Sequence, residues 1–535
     1  MKLGGGITEY VVLLIYLVGM IGIGVYWAKH SKTSEDYLLG GRKIGSILTA
    51  LTLQTTSMSG YMFMGGPAQA YKEGYFTLWY AVGDGGGAIF NVGILGKRMR
   101  RLSYYLGCLS PIEYIEKRYP GKATRAIAAV IAICFVYGYV LAQFLSAGKT
   151  MGALLGVPLP IAIIIGAGVI IFYTFAGGYL AVAWTDFVQG IVMVCSMVMI
   201  FCLAWHQVGG LTGLNLALTE KDPTLTGMWG INNMYEGQWG VVAGAVGVYL
   251  IGYMGLPHVV IRHMAMEKPS LAKQTVLIAT VWNQLFIFVP YIIGLMGILM
   301  LPELDPAKGG DPEMVVLTMA YQLLPGVLAA IVLVAIMSAI MSTADAQLML
   351  MGTMLGRDIY QRYINKEADD KQLMKASRWC ILAVGVISVI IALVQPPGVF
   401  SLVVFSFSTL GSSFLPSYVG AVWWKRGNTL GCYCSMISGC IVSIVWEAAG
   451  LASVTGMHTF FMGIIVSVAA YIIGSLIGKP PTKEMQDLID RAGCKTKIPA
   501  GFLTANYKDI APETSGVLSF LKDSNYMEER VFQPV

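Results

Sequence analysis

Three carboxylates fall inside stretches that are otherwise apolar: Asp84, Asp186 and Asp345. A charged side chain in lipid is expensive, so each is a candidate for handling an ion or a ligand. Asp84 lies among Gly83, Gly85, Gly86 and Gly87. It either meets an ammonium group of a bound molecule or pairs with a nearby donor. Asp186, in Trp184-Thr185-Asp186, either gates the protein or rests on the positive end of a helix dipole. Asp345 follows Ser342-Thr343 by two residues. Buried hydroxyls commonly bond back to the i−4 carbonyl, whereas the carboxylate needs a partner. His258, next to Pro257, either changes charge near neutral pH or is a hydrogen-bonded structural residue.

These groups must be positioned by unusual helices. One apolar stretch is interrupted by Gln54-Thr55-Thr56-Ser57-Met58-Ser59-Gly60 and then by Gly65-Gly66-Pro67. So polar a run is tolerated at membrane depth only where it faces protein or water. A second stretch carries Gly252-Tyr253-Met254-Gly255-Leu256-Pro257-His258. Pro257 removes an amide donor there, and two glycines loosen the same turn. Glycine and proline kinks are common in membrane helices. These two, however, stand five helices apart. An odd spacing makes the second five-helix unit enter the membrane from the opposite side. Inverted halves, each headed by a discontinuous helix, are the layout of many secondary transporters.

The rest of the 535-residue chain supplies that membrane body. Hydrophobic residues make up 56% and charged residues 12%, about half the usual charged share. Such a chain cannot coat a soluble surface. Thirteen stretches read as spanning helices: 9–28, 44–71, 75–95, 126–154, 159–177, 183–205, 240–258, 275–301, 325–355, 380–395, 399–423, 429–449 and 459–477. The run 380–395 is marginal in length. The first has no basic n-region or small-residue cleavage site, so a retained helix is expected rather than a signal peptide. Residues 1–478 form the transmembrane domain, and 479–535 a polar tail with room for a short helix.

Alternate loops hold 31 of the 36 lysines and arginines, the tail included. The positive-inside rule then places the N-terminus outside and the tail in the cytoplasm of a plasma-membrane protein. The net charge of +6 is an orientation signal on this reading, not a nucleic-acid patch. None of the nine cysteines has C-x-x-C spacing, so all nine are expected to be small buried hydrophobes.

At these positions the chain resembles the sodium:solute symporter family, closest to its sodium/proline and sodium/pantothenate branches. The motifs are Tyr37-Leu38-Leu39-Gly40-Gly41-Arg42, Ser57-Met58-Ser59-Gly60, Phe175-Ala176-Gly177-Gly178-Tyr179 leading to Trp184-Thr185-Asp186, Gly255-Leu256-Pro257-His258, and Met341-Ser342-Thr343. The resemblance implies an all-α, leucine-transporter-type fold built as a 5+5 inverted repeat. It also implies a sodium site made by the carbonyls of Thr55, Met58 and Ala339 and the hydroxyls of Ser342 and Thr343. By the same matching, Ser59, Tyr61, Tyr139, Tyr249, Tyr253 and Pro257 line a substrate pocket, and Asp84 and Ser57 adjoin it. The proline branch carries an aspartate where this chain has Ser57. Asp186 and Asp345 are the coupling or gating carboxylates. Ala339 offers a carbonyl but no hydroxyl, so a single sodium per cycle is expected.

Sodium-coupled import of a small amino acid such as proline, or a small carboxylate such as pantothenate, is the leading reading. Proton coupling through Asp345 or Asp186 is its rival within the same fold. A channel would need a filter sequence or a ring of pore-lining residues, and the chain has neither. A transporter-like receptor would need a signalling domain that the tail does not show. A membrane enzyme is disfavoured, because there is no nucleotide loop, no H-E-x-x-H and no nucleophile–base pair. The partners expected are the solute, sodium and lipid; the sequence points to no protein partner.

Overall fold

The computed structural model describes residues 6–29, 33–176, 178–394 and 398–493. Every described element is helical, and among the described residues strand-type pairing is confined to two isolated bridges. This is what a solvent without hydrogen-bonding capacity demands of a spanning chain.

Helix occurs in all thirteen stretches expected to cross. Among the described residues, nine helical runs are each long and apolar enough to do so. Span 1 is Ile7–Ala28. Span 4 is Thr124–Leu155, span 6 Tyr179–Gln207 and span 9 Gly326–Thr353. Spans 11, 12 and 13 are Val399–Trp423, Thr429–Ala448 and Thr459–Ile477. Span 8 joins Ala272–Phe286 to Val289–Met300. Span 5, Leu159–Ala176, is shorter.

Spans 2, 3 and 7 are composite. Span 2 runs Ser46–Ser57, breaks at Met58 to Gly60, widens into a π-helical turn over Tyr61–Gly65, and resumes as Gly66–Glu73. Span 3 is Leu78–Asn91, a π turn Val92–Gly96, and Lys97–Tyr105. Span 7 stops at Leu250, passes through a short 3-10 turn Gly252–Gly255 and an extended Leu256, and restarts with Pro257 at the first position of Pro257–Ala265. Proline is well placed there, because its missing amide would lack an intrahelical acceptor anyway. A third π segment, Met354–Ile364, extends span 9.

Span 10 differs from expectation. It is Asp370–Ala392, opening on a capping box at Asp369 and Gln372. The helix begins ten residues before the marginal run at 380. Its first turns carry Lys371, Lys375 and Arg378, whose long stems let a helix start outside the apolar layer. The polar tail contributes one described helix, Lys483–Gly493, packed on the end of span 3. The remainder of the tail lies outside the described residues. The cysteines also differ: Cys108 and Cys432 are buried, but Cys134, Cys195 and Cys202 are exposed on outward helix faces.

The basic side of the molecule is held together by arginines that donate to backbone carbonyls. Arg42 reaches the carbonyls of Met264 (3.1 Å) and Cys108 (2.5 Å). Arg118 reaches those of Ala421, Gly427 and Trp424 at 3.1–3.2 Å. Glu113, on the short helix Pro111–Arg118, collects Arg357 (3.1 Å) and Lys117 (3.2 Å). Burial pushes its carboxyl up, but Arg357, Lys117, Arg125 and the Leu109 amide outweigh that and hold it well below the usual carboxylate range. On the opposite side, Lys149 of span 4 pairs with Asp311 (2.5 Å) and Glu313 (2.6 Å), and Glu313 accepts the Val399 amide at the start of span 11.

Close approach of span 3 to span 7 depends on Gly83, where a Cβ would overlap the Val246 carbonyl oxygen. Gly83→Ala is expected to destabilise the protein by about 1–3 kcal/mol. Thermal unfolding of the detergent-purified variant checks this.

Candidate functional site

Where span 2 breaks, carbonyls of its first half lose their i+4 amides and must find other donors. Span 9 supplies them. Ser342 Oγ donates to the Thr55 carbonyl and lies equally close to its own Ala339 carbonyl, both at 3.2 Å. Thr343 Oγ1 donates to the Thr56 carbonyl at 3.0 Å. Met58 closes the helix with its amide on Gln54 O at 2.8 Å and a non-helical ψ of 67°. Thr55, Met58, Ala339, Ser342 and Thr343 are all fully buried. The structure therefore gathers carbonyl and hydroxyl oxygens from two helices in a dry place. That is the donor set that replaces the water around a hard monovalent cation.

Beside this cluster, spans 2, 4, 7, 8 and 11 contribute interlocking rings. Tyr139 packs edge-on against Phe407, with centroids 5.1 Å apart, and 5.6 Å from His258. Phe407 also meets Tyr249 and Tyr253, each at 5.7 Å. Tyr61 lies 5.6 Å from Tyr249, and its hydroxyl meets that of Tyr291 on span 8 at 2.5 Å. Ser59 Oγ accepts the Tyr61 amide. The Tyr139 hydroxyl lies beside Ser59 and Thr343 without a well-formed hydrogen bond. Pro257 is buried where span 7 restarts. Ser57 stands apart: it is half-buried, and its hydroxyl bonds back to Leu53 O at 3.0 Å.

Each of the three carboxylates has a distinct setting. Asp84 is 6% exposed and faces the break of span 7. The Tyr253 hydroxyl and Asn283 amide flank its carboxyl. No lysine or arginine forms an ion pair with it among the described residues. Asp186 accepts a short hydrogen bond from Thr52 Oγ1 and has Arg262 Nη2 at 3.7 Å. Asp345 is fully buried; it sits about 200° around the helix from Thr343 but three residues past Ser342, on the same face as that hydroxyl.

Arg262 lies close in sequence to Lys268 and Lys273, where a basic residue is expected to sit in a loop. Instead it lies inside Pro257–Ala265 and is 2% exposed. Nε donates to the Thr52 carbonyl at 3.1 Å, Nη1 to the His258 carbonyl and Nη2 to the Thr56 hydroxyl. One guanidinium thus ties the second half of span 7 to the first half of span 2 and to Asp186 of span 6. A planar fork with five donors suits such a junction. His258 differs from both expectations: neither ring nitrogen has a hydrogen-bond partner, and the ring simply packs between Tyr139 and Phe407.

Comparison with known proteins follows this geometry. The model of the sodium:solute symporter family matches residues 37–439. The osmoregulated proline transporter OpuE of Bacillus subtilis (strain 168) is 30% identical over 472 residues, covering 88% of this chain and 94% of that one. A sodium/proline symporter of Staphylococcus aureus (strain USA300 / TCH1516) is 29% identical over 484 residues, covering 88% and 93%. Among solved structures, a Na+-coupled sialic acid symporter in a substrate-bound outward-open state superposes with a TM-score of 0.72 at 22% identity, over 89% of this chain and 99% of that one. MHP1, a nucleobase-cation-symport-1 transporter in a closed conformation, gives 0.56 at 13% identity, over 85% and 98%. At these identities the two structures speak for the fold alone.

Arg262→Met removes the cation from a buried pair and is expected to cost about 3–5 kcal/mol. Adding Asp186→Asn should restore part of that loss, because the stranded charge goes with it. Unfolding temperatures of the two single variants and the double variant measure the coupling.

Proposed function

We propose that the chain, which belongs to the sodium:solute symporter family, imports a small amino acid with sodium. It is a multi-pass membrane transporter and not an enzyme, and sodium is its coupling ion. The single observation that carries the site assignment is the hydrogen bonding of Ser342 and Thr343 onto the carbonyls of Thr55 and Thr56. Sodium at that junction would take Thr55, Met58 and Ala339 carbonyls and the two hydroxyls, with the hydroxyl protons turned away. One sodium per cycle suits this set.

Solute chemistry follows from the neighbouring pocket. Asp84 is a buried carboxylate without a basic partner among the described residues. An ammonium group on the solute would complete it. Tyr139, Tyr249, Tyr253 and Phe407 offer ring faces to a compact apolar body and add cation–π attraction. L-Proline fits both requirements, and the relatives from Bacillus and Staphylococcus are named for proline. A small acid without an amine, such as pantothenate, would leave Asp84 facing a like charge.

The directional cycle uses the two closures described above. The basic side faces the cytoplasm, which puts the N-terminus outside. Opening inward requires the Arg262 junction to part from Thr52, Thr56 and Asp186. Outward opening requires the Tyr61–Tyr291 contact and the Lys149 cap to separate. Sodium bound between spans 2 and 9 holds the first break in the shape that the solute needs.

The Ser342→Ala/Thr343→Ala double variant is expected to abolish sodium-dependent uptake into proteoliposomes while the protein still folds. Normal uptake would remove this site. At fixed pH, replacing sodium by choline should stop L-proline accumulation; undiminished uptake would point to protons. Asp84→Asn should raise KM for L-proline by about 10-fold or more, the scale of one lost charge-assisted contact.

A further inference from the structure

Span 4 presents a polar face to the break of span 2. Tyr139, Gln143, Ser146 and Thr150 repeat at helical spacing and are all fully buried. Ser146 and Thr150 bond back to the carbonyls of Ala142 and Ser146. Gln143 does not. Its Oε1 accepts the Gly60 amide at 3.0 Å. A backbone amide can only donate, so this contact fixes which end of the Gln143 side chain is oxygen. Nε2, with two N–H donors, is thereby turned elsewhere, fully buried and without a partner. Gly60 permits the approach, since a Cβ there would crowd Ser146 Oγ at 2.8 Å and Gln143 Oε1 at 3.1 Å. Buried amide donors are nearly always satisfied, so an orphan beside a discontinuous helix marks where a ligand completes the bonding.

We propose that Gln143 Nε2 is the donor that anchors the carboxylate of the transported amino acid, and so determines its specificity. This rests on the pocket being the solute site, as above. Its charge partner is Asp84, flanked by Tyr253; Tyr253 and Tyr139, the latter one turn from Gln143, both pack on Phe407. Asp84 takes the ammonium end and Gln143 the carboxylate end. A site with an amide donor, and no lysine or arginine paired with Asp84 among the described residues, suits a zwitterion better than a free anion.

Gln143→Glu separates anchoring from mere support of Gly60. It keeps an oxygen for the Gly60 amide and replaces the donor by an acceptor. Sodium-driven uptake of L-proline, its inhibition by prolinamide, and sodium-induced change in tryptophan fluorescence are measured in proteoliposomes. In Gln143→Glu, KM for L-proline should rise by about 10- to 100-fold, the span for losing a hydrogen bond to a charged group. Prolinamide, which has no carboxylate, should inhibit as well as before, and the sodium response should persist. Gln143→Leu should show the same split between the two probes.

A KM for L-proline within about 2-fold of wild type in both variants would overturn the anchor and leave the symport reading intact. Equal loss of both probes and of the sodium response would also overturn it, by reducing Gln143 to a support for Gly60. Failure of the wild type to accumulate L-proline, with sodium-driven uptake of an amine-free acid, would refute the amino-acid reading and the anchor with it.

Discussion

Peptide groups that leave a helix inside lipid have no water to turn to, and everything central in this molecule answers that constraint. Spans 2 and 7 break beside the site, and each break frees peptide groups that other partners must satisfy. At the first break the partners are the hydroxyls of Ser342 and Thr343 and the side-chain oxygen of Gln143. Near the second, Arg262 ties the restarted helix to the first half of span 2 through the Thr52 carbonyl and the Thr56 hydroxyl. The substitutes are side chains, and side chains can change partners. A helix held only by its own backbone could not exchange a hydroxyl proton for a cation at so low a cost.

The same logic explains why so many arginines are buried on one side. Arg42, Arg118 and Arg262 each donate to backbone carbonyls, and Arg42 and Arg262 also meet Glu35 and Asp186. Helix ends and loops there leave acceptors in excess, and a guanidinium is a dense source of donors. Positive charge at that face therefore closes helix ends and loops where they meet.

Much of the architecture could be read from sequence because lipid imposes a simple code. Apolar runs of sufficient length had to be helices, and Gly252 through Pro257 could not continue one. The matched spacing of the two breaks follows from counting. What could not be read was anything set by contacts between distant segments. Tyr61 and Tyr291 meet across 230 positions, and no periodicity reports that. Arg262 looked like a loop residue because charge near a span end usually is one, yet span 7 restarts at Pro257 and carries it inward. Span 10 begins earlier than hydropathy suggests because lysine stems count as apolar only along part of their length. Gln143 was lost inside a long apolar run. A single amide is a weak signal until the backbone it faces is known. Asp84, Asp186 and Asp345 stood out as a class, but only the packing distinguishes one beside rings, one beside an arginine, and one a helical turn from Ser342.

Spans 2, 3 and 9 each contain a stretch wound more loosely than an α-helix: Tyr61–Gly65, Val92–Gly96 and Met354–Ile364. A turn of this kind holds a residue more than its neighbours. Tightening it by that one residue would swivel whatever lies beyond through about 100°. Because the first such coil begins at Tyr61, a small rewinding there would swing that phenol away from Tyr291 while leaving the helix below it seated. Rewinding such coils would let rotation substitute for sliding, with no apolar layer torn open.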